Sequence, residues 1–108
     1  MNDGQSGKIE VFETPVFKNA LKRLSDQDAV VVEDEVDQII SNPEIGEQKK
    51  GDLNYLWVHK FILNRQQVLL GYNWDEGRLE LYLLNIAPHE NFYKQAKIRR
   101  DSDLKIIS

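Results

Sequence analysis

Apolar residues recur at two different periods along the chain, and the change of period divides it. Lys8-Ile9-Glu10-Val11-Phe12-Glu13 alternates as a short strand does. Thr14-Pro15 then opens a helix, with Thr as N-cap and Pro at the first helical position, where its missing N–H costs nothing. Val16, Phe17, Ala20, Leu21 and Leu24 follow at helical spacing and form one apolar stripe. Ser25 to Asp28 starts a second helix, whose stripe is Ala29, Val32, Val36, Ile39 and Ile40 and whose end is Asn42-Pro43. The pair predicts a helical hairpin with Glu33, Asp34, Glu35 and Asp37 on its outer face. Residues 44–54 are polar, contain Gly46 and Gly51, and read as a loop.

The period then becomes two. Runs 55–63, 67–74 and 78–86 are rich in β-formers and separated by short polar connections, which predicts an antiparallel meander. In the last run Leu79, Leu81 and Leu83 point one way and Arg78, Glu80 and Tyr82 the other, leaving one face at least half open. Pro88 breaks the strand, and residues 90–100 form a final helix carrying Phe92, Tyr93, Ala96 and Ile98. The expected architecture is an α+β domain of order β-α-α-β-β-β-α, its helices on one side of a small twisted antiparallel sheet. The expected divisions are a polar, flexible leader over 1–7, the domain over 8–100, and a tail over 101–108 that would add an edge strand or dock on a partner.

Composition bounds the function. A chain of 108 residues builds one core, and its 41% hydrophobic content is enough to fill it. No apolar run approaches the roughly 20 residues of a membrane span, and the polar N-terminus lacks a signal pattern, so the expected location is the cytoplasm. There is no cysteine, which removes disulfides, thiolate nucleophiles and Cys-based zinc sites. The net charge of −4 argues against a nucleic-acid partner until it is divided. Residues 1–48 carry four basic and eleven acidic side chains, while 49–108 carry ten basic and seven acidic. The second part is therefore the one suited to an anion, through Lys49, Lys50, Arg78, Lys94, Lys97, Arg99 and Arg100.

With no Gly-rich phosphate loop, nucleophile elbow or metal-ligand spacing, no metal or cofactor is expected, and acid–base chemistry remains. The two histidines are His59, inside a predicted strand, and His89, where the last strand gives way to the helix. Brought together they would serve as base and acid near neutral pH, with Lys60, Arg78 or Lys94 neutralising a phosphate. That set suits RNA cleavage by 2′-hydroxyl attack, with Tyr93, Tyr72 or Trp57 stacking a base. The plainer readings are a hydrogen-bonded sheet histidine and a solvated helix face.

Gly51-Asp52-Leu53 ahead of Val58-His59-Lys60-Phe61, and the run Ala87-Pro88-His89-Glu90-Asn91-Phe92-Tyr93-Lys94, resemble RelE/ParE-type toxins of bacterial type II toxin-antitoxin systems over about residues 9–100. The resemblance implies a cognate antitoxin as partner and one of two targets: RNA, cut by RelE-like members commonly on the ribosome, or DNA gyrase, poisoned by ParE-like members without RNA cleavage. A non-toxic binding module of the same fold is the third option. By position, His59 and Lys60 fall on the strand where RelE-like nucleases carry basic catalytic groups, His89 near their strand-end arginine and Tyr93 near their C-terminal tyrosine. The middle strand, Gln67-Val68-Leu69-Leu70, lacks the arginine of that pattern, and the chain is acidic where ribosome-dependent toxins are basic. The expected site is His59, Lys60, His89 and Tyr93.

Overall fold

The computed structural model describes residues 8–108, so the leader expected over 1–7 lies outside the described residues. The elements are β1 (Glu10–Glu13), α1 (Pro15–Lys22), α2 (Asp26–Ser41), β2 (Glu47–Gln48), a 3-10 turn (Gly51–Leu53), β3 (Trp57–Leu63), β4 (Gln66–Asp75), β5 (Glu80–Pro88) and α3 (His89–Ile107). The sheet order is β1-β5-β4-β3-β2. The meander β3-β4-β5 is antiparallel as its alternation predicts, whereas β1 joins β5 in parallel and makes the sheet mixed.

Local chemistry accounts for the boundaries. Thr14 caps α1, its Oγ1 accepting the Phe17 N–H at 3.1 Å and donating to the Leu84 carbonyl at 3.0 Å, so one hydroxyl starts the helix and ties it to the sheet. Ser25 caps α2 through the Asp28 N–H. Asn64 and Arg65 both hold positive φ, which closes the β3-β4 hairpin with the twist its strands require. Between β4 and β5, Gly71 faces Asn85 and Tyr72 faces Leu83, leaving Leu84 as the extra residue of a bulge.

The sheet is covered on both faces, which corrects the expectation of helices on one side. Phe17, Val32 and Ile39 of the hairpin pack on Phe61, Leu63, Leu70, Tyr72, Leu81 and Leu83. On the other face Phe92 and Ala96 of α3 pack on Leu56, Val58, Leu69, Leu84 and Ala87. Full burial of each large apolar side chain contributes about 1.5–3 kcal/mol, so both layers hold the sheet. Gly71 permits the second layer, because a Cβ there would lie 2.7 Å from the Phe92 ring.

Two further expectations change. The segment 101–107 adds neither an edge strand nor a loose tail; it continues α3, with Leu104 and Ile107 packing beside the α3-side core. The polar stretch 44–54 holds a two-residue edge strand as well as turns.

Candidate functional site

The alternation of β3 sends neighbouring side chains to opposite faces. His59 faces the hairpin, buried beside Phe61, with its Nε2 2.7 Å from Glu35 Oε1 of α2. Glu35 therefore leaves the outer face predicted for it. It sits three residues after Val32 and four before Ile39, both fully buried, so helical spacing puts it on the inner stripe. Lys60 points to the other face and is exposed. His89, at the first position of α3, is exposed on the Lys60 side of the sheet, its ring edge-on to Tyr93 with centroids 6.3 Å apart. The two imidazoles thus stand on opposite faces and form no acid–base pair.

A different group gathers on the α3 side. Glu47 pairs with Val58 across the sheet edge, and the Lys49 N–H donates to the Leu56 carbonyl. Lys49 Nζ lies 2.9 Å from Glu47 Oε1 and 5.2 Å from the centroid of the Tyr93 ring, within cation–π range. Tyr93 and then Glu47 raise the pKa of the Lys49 ammonium. The Lys49 hydrogen bond, with the charges of Lys49, Lys60 and Lys50, holds the Glu47 carboxylate below its ordinary 4.5. Glu47, Lys49, Lys60, Tyr93 and His89 are therefore one polar surface, with Lys50 at its rim. Glu47 was hidden because Glu47-Gln48-Lys49 is wholly polar and has no alternation of apolar and polar positions to mark a strand.

The remaining candidates disperse. Arg78 is held at the β4-β5 turn by Asp75, at the opposite end of β5 from His89. Arg99 lies 4.0 Å from Asp103, and Arg100 donates to the Asp52 carbonyl at 2.8 Å, binding α3 to the 3-10 turn. Lys94 and Lys97 are exposed on α3. Tyr72 is fully buried and offers no face to a base; Trp57, half-buried, stacks on Tyr72 on the hairpin side of the sheet, away from this group, whereas Tyr93, half-buried, lies within it. Among the described residues, no group of three or more His, Asp or Glu side chains is placed to hold a metal ion, and no helix is long and apolar enough to cross a membrane.

This fold is found in a known bacterial toxin. The isolated E. coli RelE toxin matches with a TM-score of 0.59 at 12% identity, covering 84% of this chain and 97% of that one. A doubly substituted E. coli RelE in the free state matches at 0.66 and 13%, covering 85% and 97%, and the intact E. coli RelBE toxin-antitoxin complex at 0.59 and 10%, covering 73% and 94%. At these identities the likeness establishes the fold alone. No curated protein sequence matches the chain. The model of the ParE-like toxins of type II bacterial toxin-antitoxin systems matches residues 11–97, and the chain belongs to that family.

Proposed function

We propose that this toxin is a metal-independent endoribonuclease acting in the cytoplasm and neutralised by a cognate antitoxin. The observation that supports the reading is the convergence of Glu47, Lys49, Lys60, Tyr93 and His89 on one exposed surface. Glu47, kept ionised by its lysines, accepts the proton of the RNA 2′-hydroxyl as that oxygen attacks the adjacent phosphorus. Lys49 and Lys60 neutralise the crowded phosphorane, and His89, protonated, gives its proton to the departing 5′ oxygen. The products are a 2′,3′-cyclic phosphate and a free 5′-hydroxyl. Tyr93 offers a ring beside these groups on which a splayed base stacks. His59 takes no part in this scheme.

A second reading, gyrase inhibition, is favoured by the solvent face of α3, where Ile98 is 75% exposed between exposed Lys94 and Lys97 and half-buried Arg99. Such a mixed apolar and basic face suits a protein partner. The two are separated by incubating the purified toxin, in the presence of chelator, with RNA and with ribosomes carrying mRNA, and mapping 5′-hydroxyl ends. New ends that disappear in His89→Ala support the nuclease. Intact RNA with blocked DNA supercoiling favours gyrase and sinks it.

A further inference from the structure

The cationic arm of the proposed site rests on a strand of only two residues, and the hydroxyl of a buried tyrosine on the other face of the sheet reaches its root. Tyr72 is 0% exposed, its ring stacked on Trp57 in the hairpin-side core. Its hydroxyl donates to the Pro43 carbonyl at 2.6 Å and accepts the Gly46 N–H at 3.1 Å. Pro43 and Gly46 span the turn between the end of α2 and the start of β2, a turn otherwise closed by the Ile45 N–H donating to the Asn42 carbonyl at 2.9 Å. Burial pushes the phenol up to about 12, so it stays protonated and available as a donor to Pro43.

Gly46 shows how tightly the chain is held at this point. A Cβ there would lie 2.7 Å from the Tyr72 hydroxyl oxygen and 2.8 Å from the Val58 carbonyl oxygen, so the backbone is pressed between a phenol and strand β3. From this fixed point the next residue, Glu47, pairs with Val58, and two residues later Lys49 lies over Tyr93. Two ladder residues at an open edge specify register weakly, so the anchor must come from elsewhere.

We propose that the Tyr72 hydroxyl is a positioning group: by clamping Pro43 and Gly46 it fixes β2 and thereby holds Lys49 over the Tyr93 ring, on the opposite face of the sheet from its own. Its functional meaning rests on the reading of that surface as the RNA site, but its geometry is measurable without any activity. A lysine held over an aromatic ring has its terminal methylene protons shifted upfield by the ring current. In the full-length protein the Lys49 Hε resonances are compared with those of Tyr93→Leu, which defines the unshifted position.

Tyr72→Phe is expected to lose most of that shift while Tyr55→Phe, which removes a buried hydroxyl from the other core, keeps it. Gly46→Ala, whose Cβ would meet both the phenol oxygen and the Val58 carbonyl, displaces the turn as a whole and is expected to reproduce the loss; a Lys49 shift that survives it overturns the proposal even should Tyr72→Phe not fold. In RNA cleavage Tyr72→Phe is expected to lower kcat about 10-fold, and to lower it no further in a Lys49→Met background. A fall in Tm with the Lys49 resonances unmoved reduces Tyr72 to a stabilising residue and overturns the proposal, as does a wild-type protein with no upfield shift. If no RNA is cut by the wild type, the nuclease reading falls while the resonance comparison still decides the positioning claim.

Discussion

His59 Nε2 and Glu35 Oε1 lie 2.7 Å apart beneath the sheet, joining β3 to α2 on the face away from His89. Their side chains are 10% and 20% exposed, so the bond is largely screened from water and removing either partner strands the other. His59→Ala is therefore expected to lower unfolding free energy by about 2 kcal/mol and to leave RNA cleavage unchanged. His89→Ala, at an exposed position, should do the reverse: little change in denaturant midpoint and a loss of cleavage of about 10²–10⁴-fold. Equal losses of cleavage in both variants, at matched stability, would restore a catalytic His59.

The Glu47 carboxylate gives the cleavage reaction a pH signature. Because its Lys49 hydrogen bond and the neighbouring lysines hold its pKa below 4.5, the ionised base persists as the solution is acidified, and the acid limb of the rate profile falls below that value. Lys49→Met removes the largest cause, so the limb should move upward toward 4.5 while the plateau drops about 10²-fold from loss of phosphorane stabilisation. A kcat/KM profile in which Lys49→Met leaves the acid limb where it was would exclude Glu47 as the base.

These residues also mark how far the chain could be read. The α+β order and the antiparallel meander were legible because each run has a clean period, and Thr14-Pro15 and Asn42-Pro43 punctuate the hairpin. The placement of α3 on the opposite face was not, since a weakly amphipathic helix does not say which layer it covers; Gly71 was the available hint, a gap in β4 that admits Phe92. His89 and Tyr93 were legible from their residue types and from the Ala87-to-Lys94 run, and α3 brings their rings to 6.3 Å. Of their partners, Lys49 was legible by its charge, whereas Glu47 lies on β2, a polar edge strand with no hydrophobic signal; Glu35 departs from its acidic neighbours because helical spacing sets it with Val32 and Ile39.

Gly71 should accordingly tolerate no side chain while Phe92 is present. A Cβ at this position meets Phe92 Cζ at 2.7 Å and Leu56 Cδ1 at 3.0 Å, both in a fully packed layer. Gly71→Ala is expected to cost about 1–3 kcal/mol by overpacking, and Phe92→Leu to recover part of it in the double variant. Measured in denaturant, a coupling of about 1 kcal/mol or more between the two substitutions supports the contact. Simple additivity would place the strain elsewhere.

Asp103 offers the last test, and its sign runs against the usual behaviour of a carboxylate. It is 4% exposed in the second half of α3; its Oδ1, Arg99 Nε and Tyr55 Oη are buried without hydrogen-bond partners among the described residues, Arg99 Nε standing 4.0 Å away. Burial pushes the Asp103 carboxyl up from 3.8 to about 6, against the pull of Arg99. A folded-state pKa above the unfolded one means the native protein binds the proton more tightly. The protonated group is accommodated below pH 4, and the penalty for ionising it grows from there to about pH 6, after which it is constant. That rise corresponds to about 2–3 kcal/mol of lost stability at pH 7. Asp103→Asn, neutral at every pH, should therefore raise the midpoint of thermal unfolding over wild type at pH 7 and lose that advantage near pH 4. Hydrogen exchange of α3 amides should follow the same pattern, with the wild-type helix opening more readily at neutral pH than the variant. An advantage of Asp103→Asn that is the same at both pH values would mean that the buried carboxyl does not titrate between them, and that its cost lies in packing alone.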